Sequence, residues 1–208
     1  MALQQPASKK PMYNDIAGIL LAAGKSTRFG SNKLLQQLPE HQTPMAIQAA
    51  RNLLEVLPNS IAVVRNGDQQ LKSLLSETGI NLVENPHTNL GMSSSIRCGI
   101  ESANQLFPNT KGWVLALADM PYIPAAIIKQ VADAIVHGTL IAAPEYKNRR
   151  GHPVGFSCQL RGELLTLTGD VGARLLIEKY SNQLYTFATN DKAVLHDIDR
   201  PQDLMLKR

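Results

Sequence analysis

Four short apolar runs punctuate the chain, at 16–22 (IAGILLA), 61–64 (IAVV), 113–118 (WVLALA) and 140–143 (LIAA). They are nearly continuous rather than alternating, as in strands covered by helices on both faces. The segments between them carry helical spacing. In 45–56, Met45, Ala49, Leu53 and Val56 fall on one stripe, and 69–75, 93–106 and 124–136 are further helices. Pro124 suits a first helical position and Gly138 a stop. Strands alternating with helices imply right-handed crossovers and a three-layer α/β fold around a mostly parallel sheet.

After Pro144 the rhythm changes. The stretch 145–151 (EYKNRRG) is polar and basic and reads as a loop. A short strand is expected at 153–157, and a helix at 170–180 with Asp170 as its N-cap. Further strands are expected at 183–187 and 194–198, as candidate antiparallel edges. No repeat, low-complexity tract or long linker interrupts the pattern. The expected organisation is one domain over 15–208 behind a flexible polar tail, 1–14.

Composition narrows the class. The 208 residues are 44% hydrophobic and 18% charged, ordinary for one soluble domain. A membrane span is excluded, because no run of about 18 apolar residues exists. Lys and Arg number 21 against 17 Asp and Glu, a net charge of +4 that favours anionic ligands. Cys98 and Cys158 have no paired spacing and read as buried thiols of a reducing compartment. The first residues carry Lys9 and Lys10 without an apolar segment behind them, so no signal peptide is read and a cytoplasmic location is expected. Aromatic residues make up 5% and the cations gather around one crevice, which argues against nucleic-acid binding.

The chemistry concentrates at 20–33, LLAAGKSTRFGSNK. A buried strand ends at Ala22, and ligands of open parallel sheets bind at carboxyl ends of strands. Ala22, Ala23 and Gly24 allow a ligand close to the backbone, and free amides there form an anion nest. Ser26 adds a hydroxyl, and Arg28 and Lys33 add cations, a combination suited to a triphosphate. A P-loop is excluded because Ile19 stands where its first glycine belongs, and a dinucleotide GxGxxG fails at Ala22.

Four more clusters stand out. Asp119, in LADMP at 117–121, follows a strand and either caps a turn or holds Mg²⁺. Asp197 and Asp199 share one face if 194–198 is a strand; Asp199 then either joins Asp119 on an ion or caps the last helix. Ser93, Ser94 and Ser95 open a helix, as caps or as ligand donors. Arg149, Arg150, Gly151 and His152 form a basic loop that suits an anionic second substrate, although a lone loop histidine is commonly structural.

Together these stretches resemble a nucleotidyltransferase family. LAAGxSxRFGxxK at 21–33, NPxxxxGMxxSI at 85–96, LADMP at 117–121, GHPVGF at 151–156, GDxGAR at 169–174 and DIDxPxDL at 197–204 run in the family's order. The pattern looks like the molybdenum cofactor cytidylyltransferases, within the larger group that moves nucleotides onto molybdopterin. The first motif is shared widely among sugar-phosphate nucleotidyltransferases, and GHPVGF and GDxGAR narrow it.

The resemblance implies a Rossmann-like, glycosyltransferase-A type fold, Mg²⁺, and CMP transfer from CTP to molybdenum-molybdopterin with loss of pyrophosphate. It implies nucleotide contacts at Leu21, Ala22, Ala23, Gly24, Ser26, Arg28, Lys33, Ser95, Ala118 and Asp119. Arg28, Lys33 and Asp119 are the implied catalytic groups, and Asp119 and Asp199 the implied metal ligands. Arg150, Gly151, His152 and Arg174 are assigned to the acceptor, and a recipient molybdoenzyme is a further implied partner. Ala23, where guanylyl relatives carry glycine, points to CTP. Two stretches depart from the family: His41-Gln42-Thr43-Pro44 replaces its usual turn, and Met120 stands where many cytidylyl members carry glutamine.

Overall fold

In the strands of the central sheet, alternate residues feed two separate cores. Ile16, Leu20, Ala62, Val64, Val114 and Ala116 face one side; Ala17, Ile19, Ile61, Val63, Trp113 and Leu115 face the other. Helices cover both faces, so neither set of side chains meets water and each run reads as continuously apolar. The computed structural model describes residues 13–24, 32–40 and 42–205.

Along the chain lie β1 (Ile16–Leu21), α1 (Met45–Leu54), β2 (Ser60–Arg65), α2 (Gln69–Ser76), β3 (Asn81–Asn85), α3 (Met92–Leu106) and β4 (Gly112–Leu117). Then come α4 (Ala125–Val136), β5 (Ile141–Tyr146), β6 (Arg149–Arg150), β7 (Val154–Ser157), α5 (Arg161–Leu165), α6 (Arg174–Lys179) and β8 (Leu184–Ala188). The sheet order is β3-β2-β1-β4-β7-β5-β6, with β8 paired to β5. Strands β1 to β4 are mutually parallel, and β7 runs antiparallel between β4 and β5. The three-layer α/β class, with a mostly parallel sheet, is as the hydrophobic pattern requires. Residues of α1, α2 and α4 fill one core, and residues of α3, α5 and α6 the other. Gly99 lets α3 lie close to the sheet: a Cβ there would come within 2.7 Å of Ile19.

The chain steps outward through β1, β2 and β3, then returns through α3 to place β4 beside β1. That reversal opens a crevice at the carboxyl ends of β1 and β4, the usual ligand position in such sheets.

Several expectations change. β3 reads NLVEN, with two exposed and two half-buried residues, so no continuous apolar run marked it as a strand. The strand expected at 183–187 is β8, but it pairs parallel to β5. Residues 194–198 form no strand; Lys192–Leu195 is a 3-10 turn and an extended segment follows. Asp197 and Asp199 therefore share no strand face. Pro124 takes the position before α4 rather than its first turn, and Gly138, at φ +92°, ends that helix as expected. Cys158 is exposed and Cys98 half-buried, because Cys158 begins the turn that leaves β7. Tyr13, assigned to the tail, is buried and its hydroxyl donates to Asp133 of α4 at 2.5 Å. Residues 1–12 lie outside the described residues, as do Ser26, Arg28 and His41.

Candidate active site

Sheet hydrogen bonding continues one residue past β1 and β4. The amide of Ala22 donates to Val63 (2.9 Å), and that of Ala118 to Leu21 (3.1 Å). Ala22's amide is thus committed to the sheet and is not part of an anion nest. Ala23 and Gly24 lead out over the strand ends, and Arg65 donates to the Ala23 carbonyl at 3.2 Å, steadying the turn. Here a cleft of about 640 Å³ opens. Leu21, Ala22, Ala23, Gly24, Lys33, Ser95 and Asp119 all line it. Ala118 is buried and is not among the lining residues. Met120 is buried in the core beneath α1 and α4, which separates it from the cleft wall.

Lys33 sits at the junction of two carboxylates. Its Nζ donates to Asp119 Oδ2 at 2.9 Å and to Asp199 Oδ1 at 2.8 Å. Lys33 starts a 3-10 turn (Lys33–Leu35) anchored by buried Leu34; the Asn32 side chain accepts from the Leu34 amide and donates to Asp68. Asp119 is held from two sides. Asn52 of α1 donates to the carbonyls of Pro121 and Ile123, both at 2.9 Å. The amide of Ile198 donates to the Asp119 carbonyl at 2.9 Å, bringing Asp199 alongside. Asp199 is fixed in turn by Asp203, whose Oδ2 accepts from the amides of Asp199 and Arg200. Asp203 thus holds the two backbone amides that enter the last turn. Burial raises the Asp119 carboxyl above its ordinary range, and Lys33 offsets only part of this. Burial also works against the Lys33 ammonium, but Asp119 and Asp199 outweigh it and hold its pKa above ordinary.

The near end of α3 forms another wall. Gly91 precedes it at φ +86°, and a Cβ there would stand 2.6 Å from the Gly169 carbonyl oxygen. Only glycine fits so close a crossing of two backbones. The three serines are buried and largely structural. Ser93 donates to the Thr168 carbonyl, Ser94 to the Gly91 carbonyl, and Asn85 donates to both Ser94 and Ser95. Ser95 alone of the three lines the cleft. Asp170 does not cap the helix that follows it; α6 starts four residues later, with no side-chain cap at Ala173. Its Oδ1 accepts instead from the amide of Met92 at 3.0 Å, capping α3 across 78 residues. Asp170 was expected as the cap of its own helix and not of α3, and Asn85, Asn52 and Arg65 were not singled out from the sequence. Of these, only Asn85 and Asp170 lie in quoted motifs, as the first residue of NPxxxxGM and the second of GDxGAR.

A second cavity, of about 130 Å³, adjoins the cleft and shares Leu21, Met92 and Leu117 with it. Arg150, His152 and Arg174 reach its otherwise apolar wall of Ile96, Val154 and Phe156. Burial, with some help from Arg150, drives the His152 pKa down to about 4, so the ring is neutral at physiological pH. Its Nδ1 is sealed from solvent without a hydrogen-bond partner. Burial and the nearby Arg174 also lower the pKa of Arg150. Gly151 is not among the lining residues. It packs under Val194, where a Cβ would meet the carbonyl oxygen at 2.5 Å, so its role is to let the loop pass.

Two oxygens from distant segments converging on one cationic point suit a shared divalent ion. Mg²⁺ commonly takes one or two carboxylates and completes its shell with water and phosphate oxygens. Among the described residues no group of three or more His, Cys, Asp or Glu could hold a metal, so Asp119 and Asp199 fit that mode and not an all-protein cage.

A parallel sheet that reverses at β1 and β4, with a cleft lined by Asp119 and Lys33 at that point, is an α/β architecture with its ligand position at the strand ends. The chain belongs to the family of the MobA-like NTP transferase domain, whose model matches residues 18–184. Over 126 residues, 60% of this chain, it is 32% identical to the bifunctional protein GlmU of Sphingopyxis alaskensis. Over 122 residues, 59% of this chain, it is 27% identical to a probable molybdenum cofactor guanylyltransferase of Chloroflexus aggregans. The matched stretches span 27% and 54% of those two relatives. Among solved structures, Rv0371c of Mycobacterium tuberculosis, in complex with manganese, superposes with a TM-score of 0.72 at 25% identity, covering 92% of this chain and 96% of that one. Among the described residues no helix is long and apolar enough to cross a membrane.

Proposed function

We propose that the protein transfers CMP from CTP to the terminal phosphate of molybdopterin, releasing pyrophosphate. The observation that carries this reading is the adjacency of two spaces. An open cleft lined by Asp119 and Lys33, with Asp199 bonded to that lysine, shares a wall with a smaller cavity bearing two arginines and a neutral histidine. The cleft takes the triphosphate, and the cavity takes the acceptor.

Phosphate monoesters have a second pKa of about 6, so the attacking oxygen is already charged at neutral pH and needs no general base. The obstacle is bringing two polyanions together. Lys33 supplies positive charge to the triphosphate, with Arg28 and Ser26 of the same loop assigned to it from the sequence. Asp119 and Asp199 would hold Mg²⁺, which would supply charge neutralisation for the phosphates and the leaving pyrophosphate. The Rv0371c complex shows that a protein of this fold takes a divalent ion. Arg150 and Arg174 meet the acceptor's anionic groups. His152, neutral, offers a hydrogen bond without adding charge. Holding the attacking oxygen in line with the α-phosphorus supplies the rest of the acceleration.

CTP as donor rests on Ala23, whose methyl narrows the wall where glycine would leave room. One methyl group is worth about 1–3 kcal/mol of discrimination. A second reading keeps the mechanism with GTP, favoured by the name of the Chloroflexus relative. A cytoplasmic location and hand-over of the product to a recipient molybdoenzyme belong to the same proposal. The deciding experiment measures pyrophosphate release with Mg²⁺, each nucleoside triphosphate and molybdenum-loaded molybdopterin. Turnover with CTP alone supports the full reading, and turnover with GTP alone overturns the base assignment. No turnover with any of the four, in protein that binds CTP, overturns the acceptor.

A further inference from the structure

Lys33 is expected on the triphosphate, yet its ammonium lies between the two carboxylates assigned to the metal, 2.9 Å from Asp119 and 2.8 Å from Asp199. Its side chain is 12% exposed, against 25% and 37% for the two aspartates, so the ion pair is largely withdrawn from water. The three groups come from separate parts of the chain, fixed by the Leu34 anchor, the Asn52 clamp and the Ile198–Asp119 bond. Two carboxylates held this close repel one another, and Asp197 adds to the repulsion at Asp119. The ammonium removes that repulsion. It also contacts one oxygen of each carboxylate, so a divalent ion shared by the pair would compete with it directly.

We propose that Lys33 is a placeholder cation: it occupies the acidic pair until a nucleoside triphosphate draws it onto the phosphates, so divalent metal enters with the nucleotide and not before it. The triphosphate offers the ammonium a more strongly anionic partner, and lysine's four-carbon stem lets the charge swing while its backbone stays anchored. Each ligand then helps the other, because nucleotide removes the competitor of the metal and metal releases the lysine for the nucleotide. Lys33 thus acts as a positioning residue for metal loading as well as a phosphate contact. The inference rests on the proposed nucleotide for its second half, whereas its first half concerns the metal alone.

The test is Mn²⁺ binding, followed by electron paramagnetic resonance of the free ion, without nucleotide. Lys33→Met and Lys33→Gln, checked for native folding by circular dichroism, are expected to bind Mn²⁺ at least tenfold tighter than the unaltered protein. Lys33→Arg keeps the charge and is expected to bind as weakly as the unaltered protein. Adding a CTP analogue with a methylene-bridged α–β linkage is expected to tighten Mn²⁺ binding tenfold or more in the unaltered protein and to have a much smaller effect in Lys33→Met. Equal or weaker Mn²⁺ binding by both neutral variants overturns the inference. Failure of the analogue to bind the unaltered protein at all would count against the proposed function, while the comparison without nucleotide still decides the placeholder role.

Discussion

The amide of Ile198 donates to the carbonyl of Asp119 at 2.9 Å, and this one bond carries the C-terminal segment to the end of β4. It brings together two carboxylates, Asp119 and Asp199, that are 80 positions apart in the sequence. Asp199 needs no strand of its own, because its neighbour borrows the end of another.

Asp119→Asn removes one of the charges that the proposed metal requires. Turnover is expected to fall roughly a hundredfold or more, since a metal ion supplies several kcal/mol of transition-state stabilisation. Nucleotide affinity should fall much less. Steady-state pyrophosphate release and calorimetric CTP binding measure the two separately, and a kcat near the unaltered value would remove Asp119 from the metal site.

Asn52 holds the loop that carries Asp119 through two bonds to the carbonyls of Pro121 and Ile123. Asn52→Leu leaves both part-buried carbonyls without their donor, at a cost of about 1–3 kcal/mol. Chemical denaturation should show that loss. kcat should also drop, because Asp119 loses its support. Lost stability with unchanged kcat would mean that the loop holds its place without Asn52.

Asp170→Ala deletes the cap on α3. Loss of an N-cap costs about 1 kcal/mol, a fall of about 2–4 °C in Tm for a domain of this size. Because Met92 and Asp170 both border the cleft, KM for the nucleotide is expected to rise as well. Asp170→Asn, which can still accept from the Met92 amide, should recover most of the stability.

His152 makes stability depend on pH. The folded ring protonates near pH 4, whereas in the unfolded chain it protonates near 6.5. A depressed histidine pKa means that its stabilising effect is complete above pH 6.5. It is lost as pH falls from there toward 4, by up to about 1.4 kcal/mol per pH unit. Arg150, which shares the cavity, contributes to that depression after burial itself. Denaturation midpoints between pH 7 and 4.5 should fall less steeply for His152→Phe than for the unaltered protein. Parallel curves would show that the ring is not held neutral in the fold.

The reading of the sequence succeeded where local physics is decisive. The strands β1, β2, β4 and β5 are buried on both faces, so unbroken apolar runs mark them. The stripe Met45, Ala49 and Leu53 is buried along α1, and Gly138 ends α4. The site motifs at β1 and β4 were also legible, because an apolar run ending in small residues or in aspartate places those residues at the crevice. The reading faltered at the sheet's margin. β3 lacks an apolar face to show, β8 owes its parallel pairing to β5, and residues 194–198 follow the end of β4 rather than a ladder.

The sequence by itself determined the fold class, the crevice at the ends of β1 and β4, and the residue types gathered there. Hydrophobic periodicity and strand-end position are properties of neighbouring residues, and they can be read along the chain. Only the tertiary structure decided which helix Asp170 caps, that Gly151 serves packing under Val194, and that Lys33 lies between Asp119 and Asp199. Each of these depends on which distant backbone offers a free amide, an unfilled gap or an unbalanced charge, and such partners are chosen by packing across the whole domain.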